Sequence, residues 1–259
     1  MAHSEDTWFD PDIESLELDW GEKAGLQIYR NYTRSFEDNA IAKFRETLAR
    51  ESLDVADLTK VISFLLEEDL RFLPVISCGY ADDLLKMAFR KALPDGVPGG
   101  TAEMFGGYGP LSDLSKRIRL AYAFDVVSAD LMLALDKVRV ARNRISHDWD
   151  LTKIEGFHQS GRVSELEPIE LYISDRAQRH PELDAELDSS SAFRVRLIWL
   201  VGRLTYEATA YHRAKAARLS PFRALYEDGG SAWLQQISTV CMDATLVLVE
   251  RARDTKSQL

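Results

Sequence analysis

Cysteine is scarce in this sequence of 259 residues, and its two cysteines, Cys78 and Cys241, stand far apart. No Cys-x-x-Cys pair occurs, so the spacing that holds structural zinc or a redox dithiol is missing. Two cysteines at such a separation indicate a reducing compartment rather than a disulfide scaffold. We therefore expect a cytoplasmic protein that has neither a metal site nor a cofactor.

Long hydrophobic runs are missing as well. The longest mainly apolar stretches, such as residues 197–201, are too short to span a bilayer. The first residues do not show the basic-then-apolar order of a signal peptide. Apolar residues nevertheless make up 46% of the chain, which is enough for a sizeable core. These features predict a soluble globular protein.

Positive charge is in short supply only at the start of the chain. The net charge is −10, and residues 1–70 carry all of it, with 17 acidic and 7 basic side chains. Residues 71–259 carry 25 of each sign. The overall acidity argues against non-specific binding of nucleic acid, which depends on neutralising phosphates. A local basic cleft in the neutral remainder is still compatible with this balance.

Apolar residues recur at helical spacing along most of the chain. Helices are predicted from residue 33 to 50, over 55–66, after Pro74, over 112–127 and 128–147, from 193 to 217 and from 231 to 253. The segment LPDGVPGGTAEMFGGYGP is rich in glycine and proline and predicts a loop. We expect an all-α fold, most simply an antiparallel helical bundle. Its parts are an acidic extension over 1–50, a main helical domain over 51–220, and a C-terminal helix over 221–259 that packs on that domain.

One polar stretch, RVARNRISHDWD at residues 139–150, closes a predicted buried helix. Arg142 follows Val138 by four residues and precedes Ile145 by three, so it lies near the apolar stripe of its own helix. A guanidinium in that position keeps its proton and needs a carboxylate, a phosphate or water. Asp82 and Asp83, on the helix expected alongside, are the candidate internal partners.

Asn143 and His147 are four residues apart and flank the same stripe, with Arg139 and Ser146 on that side too. This set suits metal-independent cleavage of RNA. A base removes the 2′-hydroxyl proton, an acid protonates the 5′-oxygen that leaves, and a cation stabilises the charged phosphorane. His147 can act as acid or base, Arg142 as the stabiliser and Asn143 as the orienting group. A two-fold dimer would bring a second histidine to the site.

Basic side chains near this stretch form a candidate RNA-binding groove, made of Lys116, Arg117, Arg119, Lys137, Arg139 and Arg144. A solvated helix face explains the same charges. The Arg–Asn–His set likewise has a second interpretation, as a polar clasp inside the helical domain. The GGYGP segment at 106–110 predicts a turn rather than a phosphate cradle, since it lacks the lysine of a P-loop.

The block GPLSDLSKRIRLAYAFDVVSADLMLALDKVRVARNRISH resembles the mannitol operon repressor (MltR) family in its Gly-Pro-Leu turn and its Arg-Asn-x-x-x-His helix. ADDLLKMAF and RVRLIWLVGRLTYEA are similar to an earlier and a later helix of that family. The likeness spans roughly residues 60–218, and the family is related to the HEPN superfamily of helical bundles. Many HEPN proteins are dimeric, metal-independent ribonucleases of toxin and phage-defence systems.

The resemblance implies roles for particular residues. Arg142 and His147 match the two residues of the HEPN Arg-x4–6-His motif, and Asn143 matches the polar residue after the arginine. Asp82 or Asp83 matches the acid that braces the arginine. Two hypotheses follow. The first is a HEPN-type endoribonuclease that acts as a homodimer. The second is a non-enzymatic MltR-like transcriptional regulator, which binds a protein partner through its acidic N-terminal arm.

Overall fold

The computed structural model describes residues 8–50, 53–94, 96, 99–145, 161–162, 186–216 and 232–257. Nine helices lie in these ranges, and the all-α prediction is confirmed. The helices are α1 (Pro11–Glu14), α2 (Trp20–Arg50), α3 (Ala56–Glu67), α4 (Leu73–Ala92), α5 (Gly100–Phe105), α6 (Leu114–Ala123), α7 (Ala129–Ile145), α8 (Ser189–Ala216) and α9 (Ala232–Ser257). Within the described ranges, β-structure consists of one antiparallel pair, β1 (Gly161–Arg162) and β2 (Glu186–Leu187).

Helix α8 forms the centre of the core. It packs against α9, α4, α3 and α7, and nearly all its side chains from Phe193 to Tyr211 are buried. Such a helix is apolar all round, as expected for one enclosed by neighbours. Trp199 is buried and donates its indole N–H to the hydroxyl of Thr245 on α9, at 3.0 Å. The core is therefore organised around α8, and the polar groups of its large side chains are paired within it.

Helix α2 begins thirteen residues earlier than the periodicity of its apolar residues predicts. Asp19 accepts a hydrogen bond from the backbone N–H of Glu22 at 2.8 Å, and Glu22 accepts one from the N–H of Asp19 at 3.0 Å. This reciprocal pair is a capping box, which satisfies amide groups that a helix start otherwise leaves open. The acidic extension is therefore helical from Trp20 onward.

The glycine- and proline-rich segment before α6 is not entirely a loop, because α5 lies inside it. Helix α6 then starts at a cap made by Asp113, whose carboxylate accepts from the N–H of Lys116 at 3.0 Å. Among the helices described, none combines the length and hydropathy that crossing a membrane requires.

Candidate functional site

Arg142 and Asn143 lie together in the last turn of α7. The Nε and Nη2 atoms of Arg142 both donate to the side-chain oxygen of Asn143, at 3.2 and 3.0 Å. Asn143 is exposed, and Arg142 is partly buried. Arg142 follows the buried Leu135 by two helical turns, so it shares the inward face of α7 at the end of that face. The structure thus brings together two of the three residues predicted to carry chemistry.

Cys78 lies on α4, the helix that packs against α7. Burial raises the pKa of the Cys78 thiol to about 11, while the positive charges of Arg142 and Arg139 act in the opposite direction. The buried thiol of Cys78 is therefore inert.

Asp82, predicted to brace Arg142, binds two other cations. Its Oδ1 accepts a hydrogen bond from Arg117, and its Oδ2 pairs with Lys86 at 2.5 Å. Arg117 also donates to the carbonyl of Leu111 and is only 3% exposed. Arg117 is therefore a buried tie between α6, the turn before it and α4. The prediction that Arg117 lines a basic groove is wrong, because the side chain is buried and its charge is paired with Asp82 inside the protein. Asp83 is exposed.

The remaining basic residues do not form one groove with Arg142. Lys137 and Arg144 are exposed and seven residues apart, so they share the outward face of α7, opposite the face of Arg142. Arg139 is partly buried and binds Asp136 at 2.7 Å. Arg119 is exposed on α6. Lys116 folds over the preceding turn, where its ammonium group donates to Ser112 Oγ at 2.9 Å.

Ser146 and His147, as well as the acidic residues Asp148 and Asp150, lie outside the described residues. Their predicted roles in the site stay predictions. Across the part of the chain that the structure describes, no group of three or more His, Cys, Asp or Glu side chains is placed to hold a metal ion.

A buried ionic network on α8 is the main polar feature that the sequence interpretation missed. Glu207 is fully buried, and its carboxylate accepts from the backbone N–H of Ser128 at 2.7 Å and from Ser128 Oγ at 3.0 Å. Arg203, one turn earlier, donates from Nε to Glu207 at 3.0 Å and from Nη2 to Ser128 Oγ at 2.8 Å. Arg203 also pairs with Asp130 in the first turn of α7.

This network joins α8 to the start of α7. The carboxylate of Glu207 accepts from the backbone N–H of Ser128, a group that the start of a helix otherwise leaves without a partner. It also faces the positive end of the dipole of α7. Burial still raises the pKa of Glu207 to about 7, against the lowering effects of Arg203 and Ser128. The sequence carries a local signal of this network. Arg203 and Glu207 stand four residues apart in the mainly apolar stretch LIWLVGRLTYEA.

Comparisons with protein-family models, with curated proteins and with solved structures gave no match for this chain. The resemblance to the MltR family and its HEPN relatives therefore stays an expectation from the sequence.

Proposed function

We propose that the C-terminal end of α7 is the cleavage site of a HEPN-type, metal-independent endoribonuclease that works in the cytoplasm. The observation that carries the proposal is the position of Arg142. It lies on the inward face of its helix, yet in the last turn, partly exposed and bound to an exposed amide. A guanidinium at such an edge can reach a phosphate while the helix behind it stays packed.

The alternative hypothesis gives Arg142 the role of an internal clasp. Two other arginines fill that role in this fold. Arg117 is 3% exposed and binds Asp82, and Arg203 is 4% exposed and binds Glu207. Both tie one helix of the core to another, which is what a clasp does. Arg142 differs from these two arginines because it is partly exposed, and this difference in exposure favours the cleavage site.

The chemistry follows from the residue types. RNA supplies its own nucleophile, so the protein has to move two protons and stabilise one developing negative charge. The positive charge of Arg142 can stabilise the phosphorane. His147, five residues later in the sequence, carries an imidazole, a group that can both accept and donate protons. Asn143 is exposed, accepts hydrogen bonds from the guanidinium, and would orient either the imidazole or the phosphate. In a homodimer with two such ends together, a second imidazole would complete the acid–base pair.

A comparison of matched arginine variants tests this proposal. Arg142→Ala is expected to abolish RNA cleavage while lowering the free energy of unfolding by less than about 1 kcal/mol, because the side chain is partly solvated. Arg117→Ala serves as the control for a clasp and is expected to cost about 3 kcal/mol, because it leaves Asp82 without its buried partner. His147→Ala is expected to behave like Arg142→Ala.

Urea unfolding and cleavage of a labelled RNA, both measured on the same preparations, give the two readouts. A loss of stability in Arg142→Ala as large as that in Arg117→Ala would favour the clasp and the non-enzymatic regulator. Cleavage by Arg142→Ala at the wild-type rate would contradict the proposal directly.

A further inference from the structure

Tyr108 is fully exposed in the turn between α5 and α6. A tyrosine contributes to folding by burying its ring, and this ring is not buried at all. Its sequence neighbours are Gly107 and Gly109, which have no side chain to cover either face of the ring. The ring of Tyr108 is therefore available to a ligand and contributes nothing to the core.

The backbone around Tyr108 is held in one shape. The N–H of Leu111 donates to the carbonyl of Met104 at 2.9 Å and closes the turn. A Cβ added at Gly109 would lie 2.1 Å from the carbonyl oxygen of Glu103, so the close approach inside this turn requires glycine. A ring on a fixed turn loses less conformational entropy when a ligand covers it.

Lys116, in the first turn of α6, ties the Tyr108 turn to that helix. Its ammonium group donates to the carbonyl of Gly109 at 3.3 Å and to Ser112 Oγ at 2.9 Å, and it pairs with the carboxylate of Asp113 at 3.4 Å. The charge of Lys116 is thus already engaged within the chain. Its role is to hold the turn against the start of α6.

Arg119 is the cation on this side of α6 that is open to a ligand. It is exposed, it follows Lys116 by three residues, and none of the described residues binds its guanidinium group. Tyr122 follows Arg119 by another three residues and is 44% exposed. Side chains three residues apart on a helix are neighbours. An exposed ring, a guanidinium group and a second exposed ring therefore follow one another from the turn along α6.

The Tyr108 turn lies at the end of the α6–α7 pair that carries Arg142. Residues 124–128 alone separate the end of α6 from the start of α7, and the two helices pack against each other. A connection this short makes neighbouring helices antiparallel. The start of α6 and the turn before it are therefore at the same end of the pair as the last turn of α7.

We propose that Tyr108 and Tyr122 stack on bases of single-stranded RNA and that Arg119 binds the phosphate backbone of the same strand. Rings that alternate with a cation match a single strand, whose unpaired bases expose flat faces and whose backbone is anionic. A protein partner would need further apolar contacts around its anchor, and a ring between two glycines offers none. The inference rests on the proposed function, because it names the substrate of the α7 site as single-stranded RNA.

An RNA that cannot be cleaved measures binding alone. A short single-stranded RNA with a methyl group on every 2′-oxygen has no 2′-hydroxyl to attack, and fluorescence anisotropy reports its binding to the full chain. Tyr108→Ala is expected to weaken this binding about five- to 100-fold, the range for the loss of one stacked base. Tyr108→Trp is expected to bind as the wild type does, whereas Tyr108→Leu, which is apolar but has no ring, binds as weakly as Tyr108→Ala.

The matched control is Tyr29→Ala, which removes a tyrosine that is 71% exposed on α2 and is expected to leave RNA binding unchanged. Arg119→Gln is expected to weaken binding and to reduce the slope of log Kd against log salt concentration by about 0.7, the value for one phosphate contact with a single strand. The Tyr108 and Arg119 variants are expected to unfold at the urea concentration of the wild type, because both side chains are exposed.

Wild-type protein that does not bind the methylated RNA, or Tyr108→Ala that binds it as the wild type does, would overturn the inference. So would a protein partner that needs Tyr108 when RNA binding does not. Cleavage of unmodified RNA is measured separately. Binding that depends on Tyr108 while unmodified RNA stays intact would support this surface and contradict the cleavage site. Cleavage by the wild type with equal RNA binding by Tyr108→Ala would contradict this surface alone.

Discussion

The buried carboxyl group of Glu207 makes the free energy of unfolding depend on pH. It receives two hydrogen bonds from Ser128 and one from Arg203, yet burial raises its pKa to about 7 from an ordinary value of 4.5. Between these two values the folded protein binds more protons at Glu207 than the unfolded chain does. The stabilising contribution of this group is therefore complete below about pH 4.5, and it is lost as the pH rises towards 7.

Glu207→Gln removes this titration while keeping the shape of the side chain. We expect the difference in unfolding free energy between wild type and Glu207→Gln to change across this pH window, with the wild type losing stability relative to the variant as pH rises. Urea unfolding at several pH values provides the measurement. Parallel curves for the two proteins would show that Glu207 has the same pKa in the folded and unfolded chains.

Residue identities alone did not separate buried arginines from exposed ones. Arg117 lies in the basic segment SKRIR, which resembles a solvated face, but its partner Asp82 is 35 positions away in the sequence. Arg203 bonds Ser128, 75 positions away. Local spacing contains no information on such contacts, because they arise only when helices pack. The contact between Arg142 and Asn143 was not predicted either, although the two residues are neighbours in one helical turn.

At the scale of helices, α8 and α9 meet at a position that only glycine fills without strain. A Cβ added at Gly202 would lie 2.4 Å from the Sγ of Cys241 and 3.3 Å from Ile237. Both neighbours are buried in the core, so neither can move far. The close approach of α8 and α9 thus depends on a missing side chain.

Gly202→Ala is expected to destabilise the protein by about 1 to 3 kcal/mol, because overpacking outweighs the gain in helix propensity. Gly79→Ala is the matched control in an open helical position, and there we expect a gain of up to about 1 kcal/mol. Thermal or urea unfolding of both variants decides the point. Equal stabilisation by the two substitutions would mean that the α8–α9 contact is looser than the structure shows.

The helices themselves were largely predictable, because apolar periodicity is a local signal. The start of α2 was missed because residues 20–30 contain few buried apolar residues. Its signal lay instead in the DWGE capping box at residues 19–22. The short α5 was missed because glycine and proline dominate its surroundings. Both errors arose where a helix depends on end capping and turns more than on a buried face.

For the molecule as a whole, charge is distributed unevenly along the chain. The acidic surplus belongs to residues 1–70, which include α1 and α2. Arg142 and Asn143 lie in the neutral remainder. The proposed RNA-cleaving end on α7 would thus belong to the part of the chain that has no net negative charge.

The end groups of the cleaved RNA test the central proposal most directly. Attack by the 2′-hydroxyl leaves a 2′,3′-cyclic phosphate on one fragment and a 5′-hydroxyl on the other. We expect purified wild-type protein to produce these ends with a metal chelator present, and His147→Ala, purified in parallel, to produce none while unfolding at the same urea concentration. Intact RNA after incubation with the wild type, or the same fragments from His147→Ala, would contradict the assignment of a ribonuclease site to α7.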